Sequence, residues 1–146
     1  MSLRDWQKKK WLIKHVTSPA EISGLLGVIE RDISDSRVYG LSPDWKMNIA
    51  YNAALQAATI ALYACGFRAS RETHHLRVIQ SLKFTIKADK EIIDQLDQFR
   101  KKRNISDYEL AGQVSESEAS EMLELAISLR DTVKEWLKEH HSELIE

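Results

Sequence analysis

Residues 42–65 read SPDWKMNIAYNAALQAATIALYAC, and this stretch decides the fold. Ser42 followed by Pro43 is a strong helix start, and Gly66 directly after Cys65 is a typical helix end. Alanines and large apolar side chains occupy every face of the predicted helix. A helix that is apolar all round is buried, so we predict that residues 42–65 form the central helix of a bundle.

Further helices are predicted on both sides of this central one. The segment SPAE at residues 18–21 opens a helix that should run to about Arg37. After the central helix, a short connection turns the chain back into a helix that begins near Arg71. The helical pattern weakens over residues 84–90, where we predict a break. The segment SESE at residues 115–118 is a capping box that starts the last helix.

The predicted fold class is therefore all-α, an antiparallel bundle of four main helices with an N-terminal helical extension and no credible strand. Residues 1–17 form this basic extension, in which Trp6 and Trp11 dock the segment while its lysines are solvated. Nucleic-acid contact is the alternative role for the extension. Residues 138–146 are charged and are expected to fray. The length of the chain, residues 1–146, suits one domain.

Charge and cysteine content limit the function classes. The net charge of −1 gives no whole-molecule attraction to nucleic acid, so any such binding has to be local. Cys65 is the only cysteine, which excludes a disulfide framework. With no His-x-x-x-His pattern either, neither a metal site nor a cofactor is expected. The sequence also lacks a long apolar run and a signal peptide, so we predict a cytoplasmic protein without membrane contact.

The basic cluster FRKKRNISDY at residues 99–108 is the strongest candidate for a functional site. Steps of three and four residues back from Arg103 pass Arg100 and then a stripe of apolar residues, so both arginines continue one helical face. Two guanidiniums on one face can address the same anion or the same partner carboxylate. Lys101 and Lys102 point in other directions.

The end of this cluster carries a helix-ending signal. Asn104 is predicted to end the helix, and Ser106 with Glu109 three residues later fits a capping box for a new turn. Tyr108 would then lie just past the corner. The same features have a purely structural interpretation, because the helix dipole favours basic residues in the last turn of any helix.

Three short segments together resemble a known family: Arg100-x-x-Arg103-Asn104-x-x-x-Tyr108, Gly66-Phe67-Arg68 and His74-His75. They are similar to motifs of the HEPN superfamily of small all-helical domains. The resemblance covers the chain from about Ser18 to the C-terminal helix. It implies a ligand-binding site formed by Arg100, Arg103, Asn104, Tyr108 and His75. For the histidine pair itself, the pattern predicts one exposed ring and one half-buried, hydrogen-bonded ring.

The departure from the family motif concerns the catalytic base. Ribonuclease members carry a His four to six positions after the Arg, and in this sequence Tyr108 stands in that window after Arg103. A His near its ordinary pKa can take a proton from a ribose hydroxyl, whereas a Tyr with pKa about 10 is ionised to only about one part in a thousand at pH 7. The resemblance therefore implies a binding module for RNA or a nucleotide without efficient catalysis.

The resemblance also implies partners. It suggests a homodimer whose two Arg-Asn motifs face one another across a cleft, and a separate nucleotidyltransferase as a toxin–antitoxin or substrate-binding partner. Two alternatives remain open from the sequence. One is a metal-independent endoribonuclease in which Arg103 and Tyr108 are catalytic, with His75 as a substitute base. The other is a purely structural or interaction bundle.

Overall fold

The structure is a computed structural model that describes residues 1–108, 112 and 114–145, except the side chains of residues 104–108. Six α-helices occur in this part of the chain: α1 Leu3–Lys8, α2 Pro19–Ser36, α3 Pro43–Ala64, α4 His74–Ser81, α5 Lys90–Tyr108 and α6 Glu116–His140. Two short strands, β1 Leu12–Lys14 and β2 Phe67–Ala69, and a 3₁₀ turn, Ser142–Leu144, complete it. The prediction of an all-α bundle is confirmed.

The serines that the sequence marks as helix starts act as caps. The Ser18 hydroxyl accepts a hydrogen bond from the backbone N–H of Glu21 at 3.1 Å, which starts α2. The Ser42 hydroxyl does the same for α3. At α6, Ser115 and Glu118 form a reciprocal capping box, with both hydrogen bonds at 3.1 Å. These contacts satisfy backbone donors that a helix start leaves unpaired, so local sequence fixes where these helices begin.

Helix α3 is the centre of the bundle, as predicted. It packs mainly against α6 and α2, and it also contacts α4 and α5. Six of its seven alanines are almost completely buried: Ala50, Ala53, Ala54, Ala57, Ala58 and Ala61. Because alanine side chains are small, the neighbouring helices approach α3 closely on several sides. This central position lets one residue of α3 contact residues of both α4 and α5.

The N-terminal extension differs from the prediction. Only α1 is helical, and Lys10 has φ of 65°, which ends the helical path. The chain then forms β1, which pairs antiparallel with β2 so that Ile13 lies opposite Arg68. The predictions of a wholly helical extension and of no strand are therefore wrong. Each strand has three residues, which is shorter than the alternating pattern by which a strand is recognised in sequence.

The region around α4 has the predicted break, because α4 ends at Ser81 and α5 begins at Lys90. The start of α4 lies at His74 instead of near Arg71. Thr73, directly before it, has the left-handed φ of 50°, so the chain cannot be helical there. The two adjacent histidines consequently form the first turn of α4.

The end of α5 also corrects a prediction. The helix does not end at Asn104 but continues to Tyr108, so Tyr108 lies within the helix and not past a corner. Asn, Ile and Ser each cost at most about 0.7 kcal/mol in a helix interior, which is too little to end a helix that is packed elsewhere. Glu109, the second half of the predicted capping box, lies outside the described residues. Since α5 extends five residues past Arg103, the arginine cluster is not in the last turn.

The C-terminal end, which the sequence predicts to fray from residue 138, begins within a helix. Helix α6 continues to His140, which is exposed as expected for a surface residue. His141 is half-buried, and its ring centroid lies 4.7 Å from that of Trp136, so an aromatic contact holds the end of the helix. Among the helices that the structure describes, none has the length and apolar character needed to cross a membrane.

Candidate functional site

The candidate site lies where α5 passes α3 and the start of α4. Tyr51 of α3 is 1% exposed, and its ring faces α5. The guanidinium carbon of Arg103 lies 5.5 Å from the centroid of this ring. A guanidinium over an aromatic face is attracted by the negative face of the ring. Packing on α3 therefore holds Arg103 half-buried at a defined place.

His75 of α4 completes the contact between the three helices. Its Nδ1 lies 3.3 Å from the hydroxyl oxygen of Tyr51, and the two ring centroids are 5.9 Å apart. His74 is exposed, with its ring centroid 6.0 Å from that of His75. The prediction of one exposed ring and one half-buried, hydrogen-bonded ring is confirmed. Tyr51 thus contacts both Arg103 and His75.

The protonation state of Tyr51 follows from its burial. Burial raises the pKa of the Tyr51 hydroxyl to about 12, although the positive charges of Arg103 and Arg100 act in the opposite direction. Tyr51 therefore keeps its proton throughout the physiological range. Its hydroxyl can donate to Nδ1 of His75, and the imidazole then carries its own proton on Nε2. In that arrangement His75 is a hydrogen-bond donor.

His75 is held in its neutral form. Burial lowers the pKa of His75, and the positive charges of Arg103, His74 and Arg100 lower it further. A proton on this ring would add positive charge beside two guanidiniums. The site therefore combines two guanidiniums with a neutral imidazole at neutral pH. Burial is the main cause of this neutral state, and an incoming anion would oppose the part of the effect that comes from the neighbouring positive charges.

Arg100 is oriented by an acidic residue of its own helix. Its Nε donates to one carboxylate oxygen of Asp97 at 2.8 Å, and Lys101 lies 3.3 Å from the other oxygen. Burial alone would raise the pKa of Asp97, but the hydrogen bonds and charges of Arg100 and Lys101 outweigh it and lower that pKa. Asp97 therefore stays ionised and fixes Arg100 on the side of α5 that faces Tyr51.

The two lysines of the cluster serve other contacts. The side chain of Lys101 is 57% exposed, and Lys102 forms an ion pair with Glu118 of α6. Lys102, Phe99 and Glu118 line a groove between α5 and α6, on a different side of α5 from Tyr51. The cluster thus divides into an arginine pair facing α3 and α4 and a lysine pair facing solvent and α6.

Arg103 and His75 contact Tyr51, and Arg100 lies near enough for its charge to affect the pKa values of Tyr51 and His75. Asn104 and Tyr108, the other residues implied by the family motif, lie in α5, where their side chains are outside the described part. No group of three or more metal-binding side chains occurs within the described residues.

Two further contributors are not among the residues of the family motif. Tyr51 stands in the apolar pattern of the central helix, for which the sequence favours core packing and leaves a pocket-lining role as the alternative; the signal for the second role is a phenol among alanines and aliphatic residues, because a buried hydroxyl needs a partner. Asp97 was missed, although it stands three residues before Arg100 and four before Lys101, the spacing at which helical side chains pair.

These features define a class of protein: a small all-helical domain with an arginine site where three helices meet. The family model of the HEPN domain matches residues 24–136, well over half of the chain. The chain therefore belongs to the HEPN family, in agreement with the resemblance of its motifs. A comparison with curated proteins returns no match, and a comparison with solved structures returns none either.

Proposed function

We propose that this HEPN domain is a binding module for RNA or a nucleotide, and that its site takes the phosphate group. One observation carries the proposal: Arg103 is held over the ring of Tyr51 beside a neutral His75. A guanidinium whose position is fixed loses little conformational freedom when it binds, and it can donate two parallel hydrogen bonds to phosphate. Arg100 lies one turn earlier on the same face and adds positive charge.

The proposed module works without efficient catalysis. Tyr108 stands where ribonuclease members of the family carry a His, and Tyr51 cannot replace that His as a base, because its pKa of about 12 keeps it protonated. General acid–base catalysis contributes about 10²- to 10⁴-fold to a rate, so its loss leaves binding as the main activity.

A metal-independent endoribonuclease that uses Arg103 and Tyr108 is the second candidate function. The neutral state of His75 favours it, because in the tautomer in which Nδ1–H donates to the Tyr51 hydroxyl, the unprotonated Nε2 can accept a proton from a ribose hydroxyl. In that case Arg103 would stabilise the negative charge that develops at phosphorus. Cleavage of RNA without added metal separates this candidate from the binding module.

The binding module is proposed to act as a homodimer. Two copies related by a two-fold axis would bring two arginine pairs to one cleft, giving a local positive charge that one chain with a net charge of −1 lacks. We expect a dimeric mass in solution at tens of micromolar, measured by sedimentation or light scattering. A monomeric mass at that concentration would contradict the proposal that two copies form one cleft. A toxin–antitoxin role beside a nucleotidyltransferase partner is part of the same proposal.

The site itself is tested by binding. RNA oligonucleotides and mononucleotides are titrated against wild type, Arg103→Ala and Lys101→Ala. We expect Arg103→Ala to weaken binding by roughly ten- to a hundredfold, because a hydrogen bond to a charged group contributes about 1.5 to 3 kcal/mol. Lys101→Ala is the matched control on the solvent side of α5 and should have a small effect. Equal losses from both variants would indicate diffuse charge attraction instead of a site.

The pH dependence of binding tests the role of His75. Its pKa is lowered in the free protein, and a bound phosphate would raise it by placing negative charge nearby. Binding then takes up a proton, so affinity should increase as pH falls from about 8 to 6, by up to tenfold for each unit of pKa change. A dinucleotide is the appropriate ligand because its phosphodiester keeps one charge over this range. His75→Gln should bind without this pH dependence, and an unchanged profile in that variant would exclude His75 from the site.

A further inference from the structure

The formal charge is divided unevenly along the chain. Residues 1–17 and 66–90 contain eleven basic and three acidic side chains, a net charge of +8, whereas the whole chain has −1. The remaining residues therefore carry a net charge of −9. The nearly neutral net charge of the chain is therefore the sum of a strongly positive part, residues 1–17 and 66–90, and a strongly negative remainder.

The two positively charged segments fold together. Strand β1 of the first pairs with β2 of the second, and the Ser70 hydroxyl donates to the backbone carbonyl of Trp11 at 2.9 Å. The buried ring of Trp6 packs edge-on against Phe84, with centroids 5.2 Å apart. Residues distant in sequence thereby form one basic surface, which we define as the exposed side chains of these two segments.

Almost every cation of the basic surface is exposed. Ten of the eleven have exposed side chains: Arg4, Lys8, Lys9, Lys10, Lys14, Arg68, Arg71, Lys83, Lys87 and Lys90. Arg77 is half-buried beneath them. These charged groups are therefore accessible to a binding partner.

Aromatic rings hold several of these cations in place. The guanidinium carbon of Arg77 lies 3.5 Å from the centroid of Trp11, and Nζ of Lys9 lies 4.6 Å from the same centroid. Lys83 lies 4.9 Å from the ring of Phe84. An aromatic face attracts a cation without cancelling its charge, unlike a carboxylate. These contacts orient the cations and leave the surface positive.

Several cations elsewhere in the protein are paired with carboxylates. Arg130 pairs with Glu30 at 3.1 Å, and Lys102 pairs with Glu118. Within the described residues, Lys90 is the one Lys or Arg of the basic surface that forms an ion pair, with Asp94 at 2.9 Å. Cations thus greatly outnumber carboxylates on this surface, where Glu72 and Asp89 are also exposed, and such a local excess of positive charge attracts a polyanion.

The basic surface adjoins the candidate site at α4. His75 contacts Tyr51 on the side of α4 that faces α3, and Arg77 stacks on Trp11 on the side that faces the N-terminal segment. Arg71 precedes both and is exposed. A strand of polyanion that enters at Arg103 can therefore continue past the start of α4 onto the basic surface.

From this geometry we propose that the basic surface is a second contact for single-stranded RNA, binding its phosphate backbone. Trp11 is covered by Arg77 and Lys9, so its ring is not a platform for stacking bases, and recognition is electrostatic. Binding at this surface is consequently independent of base sequence and strongly dependent on salt. The proposal rests on the proposed function in taking RNA as the polyanion.

The test uses a fluorescent oligouridylate of about 20 nucleotides, long enough to follow several cations along a backbone groove. The variant Lys9→Glu/Lys83→Glu reverses two exposed charges held by aromatic rings. The matched control Lys134→Glu/Lys138→Glu makes the same change on exposed lysines of α6. We expect the first variant to bind at least about tenfold more weakly. The slope of the logarithm of the binding constant against the logarithm of the salt concentration should also be smaller in magnitude by about 1.4, because each of the two lost phosphate contacts on a single strand contributes about 0.7. The control should bind within about twofold of wild type, since surface changes away from the contact have small effects.

Wild-type affinity retained by Lys9→Glu/Lys83→Glu, or an equal loss in the control, would overturn the proposal. Binding of polyglutamate or of anionic phospholipid vesicles in place of RNA would also overturn it, in favour of an acidic protein or a membrane surface. Uridine monophosphate, titrated in parallel, separates this result from the proposed function. If the mononucleotide requires Arg103 but not the lysines, the site and the surface are distinct. If Lys9→Glu/Lys83→Glu loses oligouridylate binding while Arg103→Ala binds like wild type, the result supports the basic surface and contradicts the proposed phosphate site at Arg103.

Discussion

Purified protein is expected to leave RNA uncut near neutral pH in a buffer that contains a chelator. The family motif lacks its His at Tyr108, and the buried Tyr51 has a pKa of about 12 and cannot accept a proton. With a Tyr in place of the motif His, and with His75 hydrogen-bonded to Tyr51 and its pKa lowered, the rate should be about 10²- to 10⁴-fold lower than in a domain with an efficient base. The measurement is a time course of a labelled oligonucleotide on a denaturing gel. Tyr108→His restores the family pattern at one position and is expected to increase cleavage.

The control for this assay is Arg103→Ala, which removes the group that would stabilise the charged intermediate. The chelator excludes contaminating nucleases that need a metal. If wild type cleaves RNA and Arg103→Ala does not, the result would contradict the proposal of a binding module and would support the endoribonuclease function. Cleavage that survives the substitution would come from a contaminant or from another site in the chain.

Replacing Trp6 with Ala should destabilise the protein by about 3 to 5 kcal/mol, the usual cost of removing a large buried aromatic side chain. Trp6 is 2% exposed, and its ring packs at near right angles against Trp11 and Phe84, with centroids 5.6 and 5.2 Å away. It therefore anchors the N-terminal segment to the region that follows α4. Urea unfolding followed by circular dichroism measures the change.

Trp45→Ala is the matched control, because Trp45 lies at the start of α3 with 61% of its surface exposed. Its replacement should change stability by no more than about 0.5 kcal/mol. Similar unfolding midpoints for Trp6→Ala and wild type would show that the N-terminal segment is not part of the cooperative fold. The basic surface would then lack the fixed geometry attributed to it.

Helix positions were largely predictable because they depend on local sequence. The serines before Pro19 and Pro43 act as caps through contacts within four residues, and the apolar pattern of α3 identifies it as central. The strands β1 and β2 were missed because each is defined by its partner, which is more than fifty residues away. The length of α5 was misjudged because Asn104 is a weak stop that helix packing overrides.

The site shows the same division. The spacing of Arg100 and Arg103 predicts a shared helical face, and in the structure Arg103 lies over the ring of Tyr51 while the charge of Arg100 affects the pKa of that residue. That the tyrosine belongs to the site depends on how α3, α4 and α5 pack, which no local pattern encodes. The burial that shifts the pKa values of Tyr51 and His75 arises from the same packing. The excess of positive charge in residues 1–17 and 66–90 can be counted in the sequence, but the pairing that brings the two segments together cannot be read from it.

The central claim is that the geometry of Arg103, and not only its charge, binds phosphate. Its most direct test is the affinity of Arg103→Lys for an RNA oligonucleotide, compared with wild type and with Lys101→Arg at the same salt. Lys keeps the charge but loses the two-pronged donor, so the account predicts binding several-fold weaker, by about 1 kcal/mol or more. Lys101→Arg should bind like wild type. Equal affinity for Arg103→Lys and wild type would contradict the account.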